Sequence, residues 1–214
     1  MRRIILWLLL AGTFATPAYA QNFPMGRVEV HAGWDHVRGK LSYSDSDFPE
    51  GNFSESENTD GVVYGTTVGI DVPVSGFYVG VEATADLASN KRCEPVFGDD
   101  RACFKVKRNF AVGGRLGIPL THKALVYAGA AYLNGRARVS YTDDLDPSNN
   151  GSFSDSRDGY RLSYGLEYRV KGNVYTKAEY RYSDYNNYSA SLGSEKLSLG
   201  FDRHQVVAGV GVRF

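Results

Sequence analysis

Strict alternation of apolar and polar residues is the feature that most restricts how this chain can fold. From Tyr160 to Val170 the even positions are apolar or aromatic, whereas the odd positions are charged, Ser or Gly. The segments 174–182 and 76–88 repeat the pattern, with charged residues on one parity only. A period of two points successive side chains to opposite faces of a β-strand. The chain is therefore predicted to be all-β, with one apolar face on each strand.

Segments of this kind recur throughout the chain, and each is at least twice as long as the usual globular strand of about 5–6 residues. Proline cannot donate to a strand ladder, and the prolines after residue 20 lie outside these segments or at their ends. The eight predicted strands are 26–38, 61–72, 76–88, 104–118, 124–141, 158–170, 174–185 and 201–214.

The links between these strands alternate in length. Long links at 39–60, 89–103, 142–157 and 186–200 alternate with short ones near 71–75, 119–123 and 170–173. A soluble sandwich with its apolar face inward also fits the alternation. Short turns at one end, long loops at the other, an even strand count and aromatic residues near strand ends instead favour a membrane barrel. We predict an eight-stranded antiparallel transmembrane up-and-down β-barrel, closed because lipid cannot satisfy an open sheet edge.

In such a barrel the polar face points into the lumen, which eight strands leave only wide enough for side chains. Charges confined there are expected to pair, because unpaired buried charges are costly. The network could be a proton or ion path, but the barrel size favours a polar core, with Glu179 between Lys177 and Arg181 at its centre. The predicted lumen network is Glu82, Arg136, Arg161, Glu167, Arg169, Lys177, Glu179 and Arg181.

The first 20 residues form a separate unit. Arg2 and Arg3 precede the apolar run "IILWLLLAGTFA", and "PAYA" ends in small residues at Ala18 and Ala20. These features predict a signal peptide, 1–20, cleaved after Ala20; an uncleaved membrane anchor is the alternative. The barrel domain is then 21–214.

The two cysteines, Cys93 and Cys103, lie in "CEPVFGDDRAC". An exported chain meets oxidising conditions, so a disulfide between them is expected. A metal site is the weaker interpretation, because two cysteines without a nearby His fall short of four ligands. A redox motif is weaker still, because no C-x-x-C is present.

The stretches "VYTKAEYRYSDY" (174–185) and "VVAGVGVRF" (206–214) resemble the last two strands of small outer-membrane β-barrel proteins of the opacity-protein and OmpA-transmembrane-domain kind. The resemblance implies an outer-membrane location, contact with lipid and lipopolysaccharide, and insertion by the barrel-assembly machinery, which recognises a C-terminal aromatic residue, here Phe214. Members act as surface antigens, adhesins or envelope-stabilising proteins, so a structural or surface-interaction role is expected, with host or envelope partners at the long loops.

Other functions receive less support. The formal net charge is +0, which gives no sign of nucleic-acid binding. A narrow channel is the first alternative and a lipid A-modifying enzyme the second, but the four histidines form no evident His–Ser–carboxylate set. We predict no catalytic residue, metal or cofactor. The acidic links 39–60 and 142–157 could bind Ca²⁺, although mobile solvated loops explain them better. Arg101 and Arg108 are candidate contacts for lipopolysaccharide phosphates.

Overall fold

The computed structural model describes residues 25–95, 100–143 and 147–214. The predicted signal peptide, 1–20, lies outside these residues and stays a prediction. In the described ranges, no helix is both long and apolar enough to cross a membrane.

The described chain is almost entirely antiparallel β-structure, with short 3₁₀ turns at Pro49–Gly51 and Pro147–Asn149. The strands are β1 (Gly26–Asp45), β2 (Phe53–Val74), β3 (Phe77–Ala88), β4 (Lys91–Pro95), β5 (Arg101–Pro119), β6 (Ala124–Thr142), β7 (Gly151–Lys171), β8 (Val174–Leu192) and β9 (Glu195–Arg213).

The sheet closes on itself. The last strand, β9, pairs with β1 from Arg27↔Arg213 to Asp45↔Glu195, and β3 pairs with β5 from Tyr78↔Gly117 to Leu87↔Arg108. Strand β4 pairs with β5 beyond that point and so continues the line of β3. The nine strands therefore form an eight-membered ring, which confirms the predicted barrel.

The exterior of the ring is apolar where the sequence predicts it. On β7 the even positions from Tyr160 to Val170 are exposed, and on β3 the odd positions from Phe77 to Leu87 are exposed. Exposed aromatic residues lie toward both edges of this band, with Trp34 and Tyr132 at one edge and Phe214 at the other. Such girdles mark the two interfaces of a membrane barrel.

Two of the three turns at the short-turn end have only two residues. Ser75 and Gly76 both have positive φ (45° and 95°), which matches the right-handed twist of the flanking strands in a primed turn. Gly172, at φ 56°, makes the equivalent turn between β7 and β8. Such short turns face the periplasm in bacterial barrels, which places the longer hairpins outside.

The loops of the long hairpins are shorter than the sequence predicts, because the paired strands extend further. β1 and β2 stay paired out to Tyr43↔Phe53, and β8 and β9 stay paired out to Leu192↔Glu195. The prediction of long loops at 39–60 and 186–200 is therefore wrong in extent. These polar segments lie beyond the apolar band, where both faces of a strand can meet water, so alternation no longer marks the strand. We call this part of the barrel, from residue 37 outward on β1 and its neighbours, the extracellular extension.

Candidate functional site

Charged side chains fill the lumen at the level of the apolar band. Within the described residues, lumen ion pairs join seven cations to seven carboxylates at distances up to 3.6 Å. Nearly all of these side chains are buried, so each charge depends on its partner instead of water. The cations are Arg27, Arg115, Arg161, Lys177, Arg181, Arg203 and Arg213, and the carboxylates are Glu29, Asp35, Asp71, Glu82, Asp86, Glu167 and Glu179.

The layer nearest the short turns is a closed ring of four charges. Arg115 donates to Asp71 Oδ2 and to Glu167 Oε1, both at 2.5 Å. Arg213 donates to the other side of the ring, to Asp71 at 2.9 Å and Glu167 at 2.5 Å. The four residues come from β2, β5, β7 and β9, so the ring ties together strands on opposite sides of the barrel.

The middle layer centres on Glu179, as the sequence predicts. Its carboxylate accepts from Arg181 and Tyr127, and from Lys177 Nζ at 3.2 Å. Lys177 also pairs with Glu29, which accepts from Tyr175 Oη at 2.8 Å. Alternate residues of β8 thus project into the lumen and meet partners from β1 and β6.

The next layer is built around Asp86 of β3. Its Oδ2 accepts from Arg161 Nη2 at 3.0 Å, and its Oδ1 lies 2.8 Å from His31 Nε2. Arg181 Nη1 lies 3.4 Å from the same Oδ1 and so links this layer to Glu179. Arg161 also donates from Nε to Ser183 Oγ at 3.1 Å.

The outermost charged layer holds Asp35. Arg203 donates to both of its oxygens, at 3.1 and 2.5 Å, and Gln205 Nε2 donates to Oδ1 at 3.0 Å. Arg203 also donates to Tyr185 Oη at 3.3 Å. This layer, Asp35–Arg203–Gln205, closes the lumen below the extracellular extension.

Little open space remains between the layers. A gap of about 10 Å³ lies beside Glu82, Arg161 and Glu179, which is room for about one water molecule. The tightness also explains a glycine: a Cβ at Gly211 would lie 2.5 Å from Cζ of the Tyr175 ring. The lumen is thus packed like a protein core, with charged side chains as the filling.

Six of the eight predicted network residues lie in these layers, and two do not. Arg136 is exposed, and on β6 it has the opposite parity to the buried Tyr127 and Leu133. Its placement in the lumen was wrong, because the run "YAGAAYLNG" gives β6 no clear alternation. Arg169 is half-buried near the short turn of β7, outside the layers described above.

Other members of the network were not recognised from the sequence. Asp71 was assigned to a turn, although it is paired with Gly80 within the sheet. Arg27 and His31 share the parity of Glu29 on β1, and that parity could have found them. The sequence gives no signal for Tyr127 and Tyr175, because tyrosine also occurs on the lipid-facing side of this barrel, as at Tyr160 and Tyr164.

The interior changes character above the Asp35 layer. There it holds a cavity of about 290 Å³ that opens toward the hairpins. Phe104 and Phe201 stack in its wall with ring centroids 5.6 Å apart. We call it the mouth cavity; its lining is Val37, Phe104, Val106, Gly135, Arg136, Ala137, Val139, Phe153, Asp155, Arg157, Tyr185, Tyr188, Leu199, Phe201 and Arg203.

Two strand irregularities give the mouth cavity its apolar lining. On β5 the register shifts between Val106 and Asn109, so Asn109 and Val106 are both buried although their parity differs. A bulge of this kind turns the following residues to the other face. β8 has a similar shift between Tyr185 and Tyr188, both of which line the cavity.

Cys93 and Cys103 form a disulfide in the extension. They are register partners on β4 and β5, so the bond crosses the narrow end of this hairpin. The structure thus contains the bond that the oxidising environment predicts.

Two histidines face outward at the upper edge of the apolar band. His36 and His204 are register partners with ring centroids 6.5 Å apart. His36 Nδ1 lies 2.8 Å from Asp60 Oδ1, and His204 Nδ1 lies 2.6 Å from Tyr180 Oη. Each imidazole is therefore held in an interfacial aromatic and acidic cluster.

The outer surface of the extension is basic on β5 and β6. Lys105 and Arg138 are register partners, and Arg136 is two residues away. These cations lower the pKa of Lys107, Arg138 first, with burial adding to the effect. Crowded cations beyond the edge of the apolar band attract anionic groups. We call Lys105, Lys107, Arg136 and Arg138 the basic cluster.

A closed barrel with an apolar exterior, aromatic edges and an ion-paired interior defines an outer-membrane β-barrel protein. The family model described as "Outer membrane protein beta-barrel domain" matches residues 6–214, so the chain belongs to that family and resides in the outer membrane.

The chain is also similar to one curated protein and to several solved structures. A "22 kDa outer membrane protein" of Rhizobium leguminosarum bv. viciae is 33% identical over 121 residues, which cover 55% of this chain and 54% of that protein. The match thus spans about half the length of the relative. Among solved structures, the outer membrane protease OmpT of Escherichia coli superimposes with a TM-score of 0.53 at 9% identity, covering 89% of this chain and 97% of that one. Neisserial surface protein A gives 0.46 at 17% identity, covering 87% and 97%.

Proposed function

We propose that this protein is a non-conducting barrel that stabilises the outer membrane and interacts with partners through its extracellular extension. The observation that carries the proposal is the stack of ion-paired layers across the lumen, with a gap of about 10 Å³ between them. Conducting porins use many more strands to leave an aqueous channel. Ion passage here would require breaking buried ion pairs, which is costly.

Conductance in planar bilayers tests the closed lumen. We expect no discrete current steps from the wild-type protein. The double variant Glu179→Ala/Arg181→Ala removes the central carboxylate of the middle layer and its arginine partner, and should produce steps. The matched control, Leu162→Ala/Leu166→Ala, removes two lipid-facing side chains and should stay silent. Steady wild-type conductance would favour the narrow-channel alternative.

The basic cluster supports a role at the lipopolysaccharide layer. Lys105 and Arg138 share one face of the β5–β6 pair, and nearby Arg108 lies 4.9 Å above the Phe110 ring at the edge of the apolar band. Arg101 begins the same strand. Cations at this level attract anionic headgroups.

Charge reversal tests this contact. Lys105→Glu/Arg138→Glu should reduce lipopolysaccharide co-purification several-fold, and Arg101→Glu/Arg108→Glu should do so more weakly. Lys123→Glu/Lys171→Glu makes the same charge change at the short-turn end and should have no effect. Equal co-purification of all three variants would contradict the assignment.

We propose no catalytic role. The imidazoles of His36 and His204 are engaged with Asp60 and Tyr180, and His31 is buried against Asp86. Expression of the wild type and a His36→Ala/His204→Ala variant should leave lipid A mass unchanged. A mass shift that depends on these histidines would establish the enzyme alternative.

We also propose that Phe214 is read by the barrel-assembly machinery. Its backbone bonds Gly26 in both directions, at 2.8 and 2.9 Å, while its side chain remains exposed. Deleting Phe214 should lower membrane levels in cells more than it lowers refolding in detergent, and Phe214→Tyr should preserve both. Normal membrane levels of the deletion variant would refute this role.

A further inference from the structure

The mouth cavity is an apolar site inside the extracellular extension, above the charged layers of the lumen. Its wall combines aliphatic and aromatic side chains from β1, β5, β6, β7, β8 and β9, so six of the eight members of the ring contribute. Val37, Val106 and Tyr185 are buried there. The apolar side chains of this wall can be covered only by a molecule that enters the cavity.

The size of the cavity suits a small apolar ligand. Its volume of about 290 Å³ is about twice that of an engineered cavity of about 150 Å³ that binds benzene. It lies near the lower end of the usual range for ligand pockets, about 300–1,000 Å³. One alkyl chain or one ring system fits, whereas a folded peptide segment does not.

Apolar exposure continues to the solvent edge of the cavity. Phe153 is 68% exposed, Tyr188 54% and Val139 49%, although water surrounds the extension on the outside. Exposed apolar patches of this kind mark binding sites. The other end is closed by the Asp35–Arg203–Gln205 layer, so a ligand enters from outside and stops there.

The charges at the mouth select the head of the ligand. Arg157 stacks on Tyr188 with its guanidinium 4.4 Å from the ring centroid and pairs with Asp155 at 2.7 Å. Arg136, which faces the outer surface as a member of the basic cluster, also borders the cavity and adds a cation at its edge. Two cations and one carboxylate near the solvent edge leave a net positive charge for an anionic group.

We propose that the mouth cavity binds one hydrocarbon chain of an anionic amphiphile, of the fatty-acid class. The chain lies between Phe104, Phe153 and Phe201, and the carboxylate stays at the solvent edge beside Arg136 and Arg157. The site is a dead end above the charged lumen and takes its ligand from the extracellular side.

Photo-crosslinking with dodecanoic acid carrying a terminal diazirine tests the site on the protein in lipid nanodiscs. We expect labelled peptides that contain Phe153 or Tyr188, with labelling that unmodified dodecanoic acid competes away. Labelling of lipid-facing positions such as Val81 should not saturate. Label confined to lipid-facing peptides, or cavity label that resists competition, would overturn the proposal.

Variants separate binding from folding. Val139→Asp/Phe153→Asp should reduce saturable labelling at least about tenfold, equivalent to about 1.4 kcal/mol of binding free energy. Ala137→Phe should do the same by filling the cavity without adding charge. Phe53→Asp makes the same chemical change on an exposed strand position outside the cavity and should label as wild type. Heat-modifiable gel mobility confirms that each barrel is folded, and full labelling of the folded cavity variants would refute the site.

The head group is tested by comparing competitors. Arg136→Ala/Arg157→Ala should weaken competition by dodecanoic acid several-fold and leave competition by dodecanol unchanged. An equal loss for both competitors would refute the charge selection.

Discussion

The membrane-spanning half of the barrel and its extracellular extension place apolar and charged residues on opposite faces of the wall. In the membrane half, Val81 and Leu162 face outward and Glu179 faces inward. In the extension, Lys105 faces outward while Val106 is buried inside. The same ring of strands carries both arrangements. The solvent outside the wall therefore decides which residues face it: lipid selects an apolar exterior, and water permits a basic one.

The change from one arrangement to the other requires a change of parity along a strand. β5 achieves it with the irregularity between Val106 and Asn109. Without that extra residue, Lys105 would point toward the stacked Phe104–Phe201 region and Val106 toward water. The bulge lets one continuous strand serve two environments.

Removing one buried partner should give the largest difference between the two halves. Glu167→Ala leaves Arg115 and Arg213 without the carboxylate that joins them, and we expect a loss of about 3–5 kcal/mol of unfolding free energy. Asp155→Ala breaks the pair with Arg157, whose side chains are 43% and 36% exposed, and should cost less than about 1 kcal/mol. Urea unfolding in lipid vesicles measures both. Similar losses would show that the lumen pairs are as weak as surface pairs.

The second-largest difference in stability between the two halves should come from a charge placed on the outer wall. Val81→Arg places a cation on the lipid face and should cost about 2–4 kcal/mol, the usual range near the bilayer midplane. Ser152→Arg places the same side chain on an exposed strand position of the extension and should change stability by less than about 0.5 kcal/mol. The same vesicle titration applies. Tolerance of Val81→Arg would mean that this face does not meet hydrocarbon.

Deleting Lys107 tests the bulge itself. Without the extra residue, the outer part of β5 reverses its faces, and the interior loses Val106 and Phe104 to the outside. The poorly packed interior of the extension should lower the unfolding free energy by about 1–3 kcal/mol. Saturable labelling of the mouth cavity should disappear. Lys107→Ala keeps the bulge and serves as the control. Unchanged cavity labelling in the deletion variant would show that the strand absorbs the missing residue elsewhere.

The membrane-spanning half can be predicted from the sequence more completely than the extracellular extension. The alternation in 160–170 and 174–182 predicts the lipid face and the Lys177–Glu179–Arg181 centre, because lipid imposes a strict rule on every second residue. The alternating link lengths favour the barrel over a soluble sandwich. Beyond the membrane that rule lapses, so the residue pattern predicts a loop at 39–60 and the wrong face for Arg136. The residue pattern does not reveal the register shift after Val106, because the two residues that follow Val106 are both basic. The mouth cavity could not be predicted from the sequence. Its apolar residues on β5 and β8 share one face only because a register shift interrupts each strand.

The smallest global effect is expected from the disulfide, and it tests whether the halves unfold as one. β4 is exposed throughout and pairs only with β5, where it continues the line of β3. Removing the bond with Cys93→Ser/Cys103→Ser frees a loop with a sequence separation of 10. If the extension were part of the global unfolding unit, loop closure would make this cost about 3 kcal/mol. We instead expect faster amide exchange in β4 and a change below about 0.5 kcal/mol in urea unfolding, because segments with few buried contacts open locally. A global loss near the loop-closure value would mean that lipid-facing wall and water-facing extension form one cooperative structure despite their opposite faces.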